Sequence, residues 1–318
     1  MDLPIIEIII IDMVLSFIIT YKTVPILIKK FNEKGIIGLD LHRNKYIANA
    51  GGVSLFIGFS TGIILCGFLN IDPKSMLTVI LVSILAFILG FLDDILVLSK
   101  KALIIWSLVI GMPFLSYKVG STIITLTPIG PVDLGYLFWP IAVLSVAFLS
   151  NAVNIYAGFN GLEAGLGLIT SLSLAVCAFI YGSIESALSL LILASSLAAF
   201  LKYNFYPAKI FIGNSGTYMI GAIIASSIIV GTIKTVGIIA CIPYIINFFI
   251  RLYDRMVWTV GENTPDGKVY CSKMHALWCI FMYKKPITEK RLVLKCWGLQ
   301  LVFGLLAILY ALKANSII

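Results

Sequence analysis

The sequence predicts an all-α polytopic membrane protein, a single domain over residues 1–318 with about ten transmembrane helices and its active site in the cytosolic loops. Three observations predict it. Hydrophobic residues fill 60% of the positions and charged residues 12%, with a mean hydropathy of +1.05, whereas soluble domains carry roughly 25% charged residues. Apolar runs recur at about the ~20 residues that a spanning helix needs. The runs are continuously apolar, which excludes a β-barrel, whose strands alternate apolar and polar residues over ~10 positions. No repeat, low-complexity tract or soluble module separates them.

The first run, 4–21, is expected to be retained as a helix rather than cleaved, because Asp2, Glu7 and Asp12 precede the first lysine, Lys22. Runs at 52–69 and 76–92 follow, the latter leading into "FLDDILVLSKK" (91–101). Runs 102–117 and 134–153 flank "STIITLTPIGPVDLG" (121–135), which carries turn signals at Gly130 and Pro131 for a short hairpin. The remaining spans are 162–181, 184–201, 217–233, 235–250 and 292–312. With the N-terminus outside, 19 of the 23 basic residues fall in inner loops, a strong positive-inside bias. Both termini are then outside, and residues 93–101, 151–161, 202–216 and 251–290 face the cytosol, across the plasma membrane if the cell is prokaryotic.

The net charge of +8 either enforces this topology or draws anionic lipid headgroups and phosphorylated substrates to the inner face. Nucleic acid is excluded as a partner, since no basic stripe with interleaved aromatics lies on a soluble module. Cys66, Cys177, Cys241, Cys271, Cys279 and Cys296 form no C-x-x-C pair and predict neither a disulfide framework nor a zinc site.

The polar residues gather on the inner side. Asp93 and Asp94 end the third span, where carboxylates are costly near hydrocarbon and oppose the helix dipole. Carboxylate and amide oxygens are also what Mg²⁺ accepts beside substrate phosphates. Asn151 and Asn154 share one helix face at the end of the fifth span; helix–helix hydrogen bonding is the alternative. Gly158 and Gly161 permit a tight re-entry, Asn160 and Glu163 open the next helix, and a helix N-terminus beside glycines can hold an anion. "FIGNSGTY" places Gly213, Asn214, Ser215 and Gly216 before the eighth span as a second potential phosphate cradle.

These motifs, from "GLDLHRNKYIANAGGV" (38–53) through "FLDDILVL", "NAVNIYAGFNGLEAG" and "FYPAKIFIGNSGTY", resemble the polyprenyl-phosphate N-acetylhexosamine-1-phosphate transferases in their order. That family includes the MraY- and WecA-type bacterial enzymes and the eukaryotic dolichyl-phosphate GlcNAc-1-phosphotransferase. Residues 157–163, "AGFNGLE", are similar to the eukaryotic and archaeal pattern rather than the bacterial D-G-x-D-G-L, and a histidine-rich inner loop is missing. The resemblance implies transfer of GlcNAc-1-phosphate from UDP-GlcNAc to a polyprenyl phosphate of dolichyl type, with Mg²⁺, or Mn²⁺ in its place, as cofactor.

By the same resemblance Asp93 and Asp94 are catalytic, orienting the lipid phosphate and deprotonating it, and Asn154 and Asn214 hold the metal. Asn160 faces the uracil, Arg251 or Arg255 the diphosphate or sugar, and Asn151, Glu163 and Lys101 complete the substrate contacts. Membrane lipids are partners, and a homodimer is left open. Ala48 and Asn49 stand where the family has Pro and an acid, Lys101 precedes the family's lysine position, and Asn214 stands where the F-x-G-D motif has its metal-binding Asp. Two other readings stay open: a catalytically weak paralogue with a lipid-binding or scaffolding role, and a transporter. The latter would place its polar segments near the midplane.

Overall fold

The structure, a computed structural model, describes residues 3–65, 72–126, 130–257 and 259–316. Among the described residues, nine helices are long and apolar enough to span a bilayer. They are α1 (Leu3–Lys34), α3 (Pro73–Leu96), α4 with α5 (Lys100–Gly111 and Pro113–Tyr117), α6 (Phe138–Asn154), α7 (Leu162–Ile180), α8 (Ile184–Asn204), α9 (Gly213–Val230), α10 (Lys234–Tyr253) and α12 (Glu289–Asn315). The expected span 52–69 is met by α2 (Gly52–Leu65), whose 14 described residues reach about 21 Å at 1.5 Å each, short of a full crossing. Its residues 66–69, with Cys66, lie outside the described residues. The expected span 102–117 is broken at Pro113, whose ring removes a backbone donor and restarts the chain as α5.

α8 and α9 form the middle of the bundle, with 72% and 83% of their spanning windows buried, against 28% for α1 and 33% for α12 at the periphery. α9 packs chiefly on α3 and α6, α7 on α8 and α12, and α1 on α2 and α8. Gly90 of α3 sets one of these distances: a Cβ there would run into the backbone of Asn214 and Ser215. The two helices therefore meet backbone to backbone, and Asp93 and Asp94, one turn further along α3, arrive at the start of α9. Gly90→Ala is expected to push the helices apart at a cost of about 1–3 kcal/mol. A lowered thermal midpoint of the detergent-solubilised protein checks it.

Three short hairpins complete the chain. β1 (Ile37–Asp40) pairs with β2 (Lys45–Ala48) from Ile37↔Ala48 to Asp40↔Lys45. Phe211 N–H donates to Ala48 O, and Gly51 and Gly52 donate to Phe211 and Ile212, which ties this hairpin to the segment entering α9. β3 (Ile123–Leu126) and β4 (Gly130–Asp133) form the hairpin expected within 121–135; residues 127–129 lie outside the described residues. β5 (Glu262–Asn263) and β6 (Val269–Tyr270) fold the loop after α10, followed by the short α11 (Cys279–Met282). One expectation is corrected here. Cys271 and Cys279 form a disulfide, their Cα atoms 5.6 Å apart, because the loop returns on itself through backbone bonds between Cys271 and both Met282 and Lys284.

Candidate active site

One cavity of about 390 Å³ gathers residues from all the polar segments except "KK" at 100–101. Its centre is the start of α9, which has no side-chain cap of its own. Asp94, reaching over from α3, supplies one: its Oδ1 accepts from Asn214 N–H at 2.7 Å and its Oδ2 from Ser215 N–H at 3.0 Å. A carboxylate there satisfies orphan donors and complements the helix dipole. Gly213 has φ +72°, and a Cβ on it would lie 2.5 Å from Asp94 Oδ2, so only glycine leaves that carboxylate its place. The amides expected to cradle a phosphate are thus occupied by Asp94.

Asp93 is buried beside it. Leu98 N–H donates to Oδ1 at 2.8 Å, and Asn214 Nδ2 donates to Oδ2 at 2.8 Å. This bond gives the amide at 214 a physical reason: a carboxylate there would face Asp93 oxygen to oxygen. Asn154 Oδ1 accepts from Thr217 Oγ1 at 2.8 Å, which locks the end of α6 to α9. Asn151, one turn earlier, accepts from Tyr218 OH at 3.2 Å and lies off the cavity.

The chain between α6 and α7 turns through Gly158 at φ +151° and Gly161 at φ +80°. Its donors are also taken: Glu163 Oε1 accepts from Gly158 N–H at 2.8 Å, and Glu289 Oε1 from Asn160 N–H at 2.7 Å. The loop amides just before α7 are therefore taken by the protein's own carboxylates. Asn160 Nδ2 donates to Asp40 Oδ2 at 2.9 Å, and Arg43 Nε donates to the same oxygen at 2.7 Å. Burial pushes the Asp40 carboxyl up, but the bonds from Asn160 and Arg43 outweigh it and hold the group below its ordinary value.

A group depressed in this way stabilises the fold fully above the ordinary Asp range near pH 4 and loses that contribution as pH falls through its lower folded value. Acidification below about pH 4 is expected to lower the thermal midpoint more in wild type than in Asp40→Asn. A midpoint-against-pH series on the two proteins checks it.

The loop after α10 covers the cavity. His42 Nδ1 donates to Asn263 Oδ1 at 2.6 Å, Asn263 Nδ2 donates to Leu41 O at 3.1 Å, and Val260 lines the wall. Arg251, expected at the substrate, lies off this cavity but lines the apolar groove beside it. It is buried, donates to Val257 O and Thr259 O at 2.8 and 3.1 Å, and stacks 4.7 Å over the Trp278 ring. Arg255 and Lys101 are exposed and lie outside the cavity lining; Lys100 instead lines a neighbouring groove. Asp40, His42, Asn204, Thr217 and Glu289 are polar lining residues that sequence reasoning left without a role. Asp40 stood inside a quoted motif, whereas Glu289 offered only the signal of an acid opening the last span.

That groove, about 470 Å³ and mostly apolar, runs between α4, α6 and α10, where Leu103, Ile104, Leu144, Phe148 and Phe248 line it. Asn154 and Ile155 line both spaces, so the polar cavity and the apolar groove lie side by side. Charge is one-sided in the cavity: Asp40, Asp94, Glu163 and Glu289 line it with no Lys or Arg among the described residues. Its donors toward a cation are hard oxygens, and no three His, Cys, Asp or Glu among the described residues converge into a closed metal cage. That set fits Mg²⁺, which keeps waters and takes one or two protein oxygens beside substrate phosphates.

Such a bundle, with an acidic and amide-lined cavity beside an apolar groove, is built to bring a polar and a lipid substrate together, and its class follows from the proteins it matches. The chain belongs to glycosyl transferase family 4, whose family model matches residues 76–232. A relative from Sulfolobus acidocaldarius, 32% identical over 314 residues and 95% and 96% of the two chains, carries the provisional name UDP-N-acetylglucosamine–dolichyl-phosphate N-acetylglucosaminephosphotransferase. A relative from Bacillus subtilis, 31% identical over 77% of this chain and 70% of its own, is provisionally named an undecaprenyl-phosphate N-acetylglucosaminyl 1-phosphate transferase. The phospho-N-acetylmuramoyl-pentapeptide-transferase of Halalkalibacterium halodurans is 26% identical over 95% and 97% of the two chains.

Proposed function

We propose that this chain transfers N-acetylglucosamine 1-phosphate from UDP-N-acetylglucosamine to a polyprenyl phosphate of dolichyl type, releasing UMP. The observation that carries the reading is the join at Asn154 and Ile155, where a polar cavity fit for a nucleotide sugar meets an apolar groove fit for a lipid tail. An oxygen of the lipid phosphate attacks the β-phosphorus, the bond from that phosphorus to the bridging oxygen breaks, and UMP leaves with the oxygen. Polyprenyl-diphospho-N-acetylglucosamine remains in the membrane. A phosphate monoester with its second pKa near 6 is already largely ionised at neutral pH. Asp93 therefore positions the reacting groups rather than needing to remove a proton.

Asn154 and Asn214, beside Asp93, would hold Mg²⁺. The bound ion would neutralise diphosphate charge, a need made acute by a cavity lined with four carboxylates and no Lys or Arg among the described residues. Asp94 fixes the start of α9 and with it Asn214 and Thr217. Asn160, held by Asp40 and Glu289 on the cavity lining, would contact the uracil. Lys100, on the groove, is placed to meet the acceptor phosphate. Incubating purified protein with radiolabelled UDP-N-acetylglucosamine, Mg²⁺ and a polyprenyl phosphate tests the reading. Label should move into the organic phase with equimolar UMP, and label that stays in water sinks it.

The reading also requires the cavity to face the cytosol, where nucleotide sugars are available. Single cysteines at Ser99 and Lys209, both exposed, are expected to react with an impermeant thiol reagent only after the membrane is opened, in a background without native cysteines. Labelling of both in sealed cells would reverse the orientation.

A further inference from the structure

The bond between Cys271 and Cys279 is the only disulfide among the described residues, and it lies in the loop that covers the cavity. It ties together two parts of that loop with different contacts. Cys271 follows β6, whose partner strand β5 carries Asn263, the residue bonded to His42 Nδ1 at 2.6 Å and to Leu41 O at 3.1 Å. Cys279 follows Trp278, a fully buried ring that meets Phe159 edge-on at 5.4 Å and stacks on Tyr156 at 5.8 Å. Phe159 in turn lies flat against the His42 ring at 5.1 Å. The disulfide therefore couples the strands that reach over the cavity to the ring that backs the turn between α6 and α7.

The fit at that turn is close. A Cβ on Gly158 would lie 2.8 Å from Val260 Cγ1 and 3.5 Å from Trp278 Cη2, so the loop rests directly on the backbone that carries Phe159 and Asn160. Backbone bonds hold the base of the loop without help from sulfur: Cys271 N–H to Met282 O at 3.0 Å, Lys284 N–H to Cys271 O at 2.9 Å, and the exchange between Val269 and Ile287. Breaking the S–S bond then loosens the cover and leaves the fold in place.

We propose that the Cys271–Cys279 pair is a redox switch on the cover of the cavity, tightening it in the disulfide state and loosening it in the dithiol state. With the cavity on the cytosolic side, as proposed above, the pair sits where thiols are held reduced and where disulfides are commonly transient or sensing. Both cysteines are buried, but Ser272, Lys273 and Met274 between them are exposed and give a small thiol reagent its approach. A dithiol supplies two electrons and two protons: its first thiolate attacks one sulfur to form a mixed disulfide, its second closes the reagent's own ring, and Cys271 and Cys279 leave as thiols. A cover fixed in advance costs a ligand less ordering, so the disulfide state binds the nucleotide sugar more tightly. That last step rests on the donor reading above. Asp93, Asp94, Asn154 and Asn214 are held on α3, α6 and α9 by bonds among themselves and to Leu98, Ser215 and Thr217, so the switch acts on KM and leaves kcat.

The test compares the purified full chain in detergent after treatment with dithiothreitol or with its cyclic disulfide. Amide exchange over residues 156–163 and 259–264 is expected to quicken on reduction. UDP-N-acetylglucosamine binding, read by calorimetry, should weaken about tenfold, and KM for it should rise by the same factor while kcat stays within about twofold. Linkage adds a readout independent of turnover: saturating UDP-N-acetylglucosamine should move the equilibrium with dithiothreitol about tenfold toward the protein disulfide. A variant carrying both Cys271→Ser and Cys279→Ser should bind as reduced wild type does in either reagent. Measurable but equal affinity in the two wild-type states, exchange unchanged over both segments, or a double variant that still responds to dithiothreitol overturns the proposal. Quickened exchange with no nucleotide-sugar binding in either state leaves the switch standing and sinks the transfer reading instead.

Discussion

Asp93→Asn is expected to lower kcat by about three orders of magnitude, ~4 kcal/mol of transition-state stabilisation, while leaving the thermal midpoint close to wild type. The two effects separate because of where the carboxylate sits. One oxygen takes Leu98 N–H and the other Asn214 Nδ2, and a carboxamide keeps both bonds by holding its oxygen to Leu98 and its NH₂ to an Asn214 amide that flips to present its own oxygen, a freedom the fixed backbone amides on Asp94 do not have. What it cannot reproduce is the negative charge beside the proposed metal position. A group that acts on charge developing in the reaction alters kcat more than substrate binding.

Asp94→Asn should be equally slow but should also melt earlier. Both its oxygens cap α9, and a carboxamide has only one acceptor to offer Asn214 and Ser215. Losing a charge-assisted bond of this kind costs about 1.5–3 kcal/mol. Steady-state kinetics with parallel melting curves measure both. Near wild-type turnover in both variants removes the pair from the mechanism.

Asn214→Asp is expected to shift the Mg²⁺ requirement to lower concentration, because it replaces a neutral amide with an anionic carboxylate at a hard-oxygen site. It has a second consequence. The 2.8 Å amide-to-carboxylate bond to Asp93 becomes a contact between two carboxylates, which repel by roughly 4 kcal/mol at 4 Å in a medium of effective dielectric 20. Without divalent ion the variant should melt below wild type, and Mg²⁺ should raise its midpoint more than it raises wild type's. Titrating Mg²⁺ against UMP release and against the midpoint reads both arms. A metal requirement unchanged or raised, with no extra stabilisation by Mg²⁺, takes residue 214 out of the metal site.

Much of the bundle was legible in the sequence because spanning helices are a local property. A run such as 184–201 must satisfy its own backbone in hydrocarbon, so it declares itself as a helix whatever it packs against. The motif segments were legible for a related reason: Asp93, Asp94, Asn154 and Asn160 are polar where their neighbours are not. The β1–β2 hairpin was not legible, since four-residue strands beside a span carry too short an alternation to register. That Arg251 would be held by carbonyl oxygens and the Trp278 face while lining the apolar groove was not legible, because those partners are set by how the loop after α10 folds back.

The sequence by itself determined that the chain crosses the membrane repeatedly, which segments are helices, and which polar residues require an explanation. Hydropathy and turn chemistry are sums over neighbours in the chain, so no tertiary contact was needed. The tertiary structure alone decided what those polar residues do. Asp94 became the cap of α9, and Asp40 the anchor of Asn160, in each case through a bond between residues 120 positions apart. Helix ends carry unsatisfied donors wherever they fall. Which distant carboxylate reaches them depends on how closely two backbones approach, as at Gly90, and that distance is set by packing.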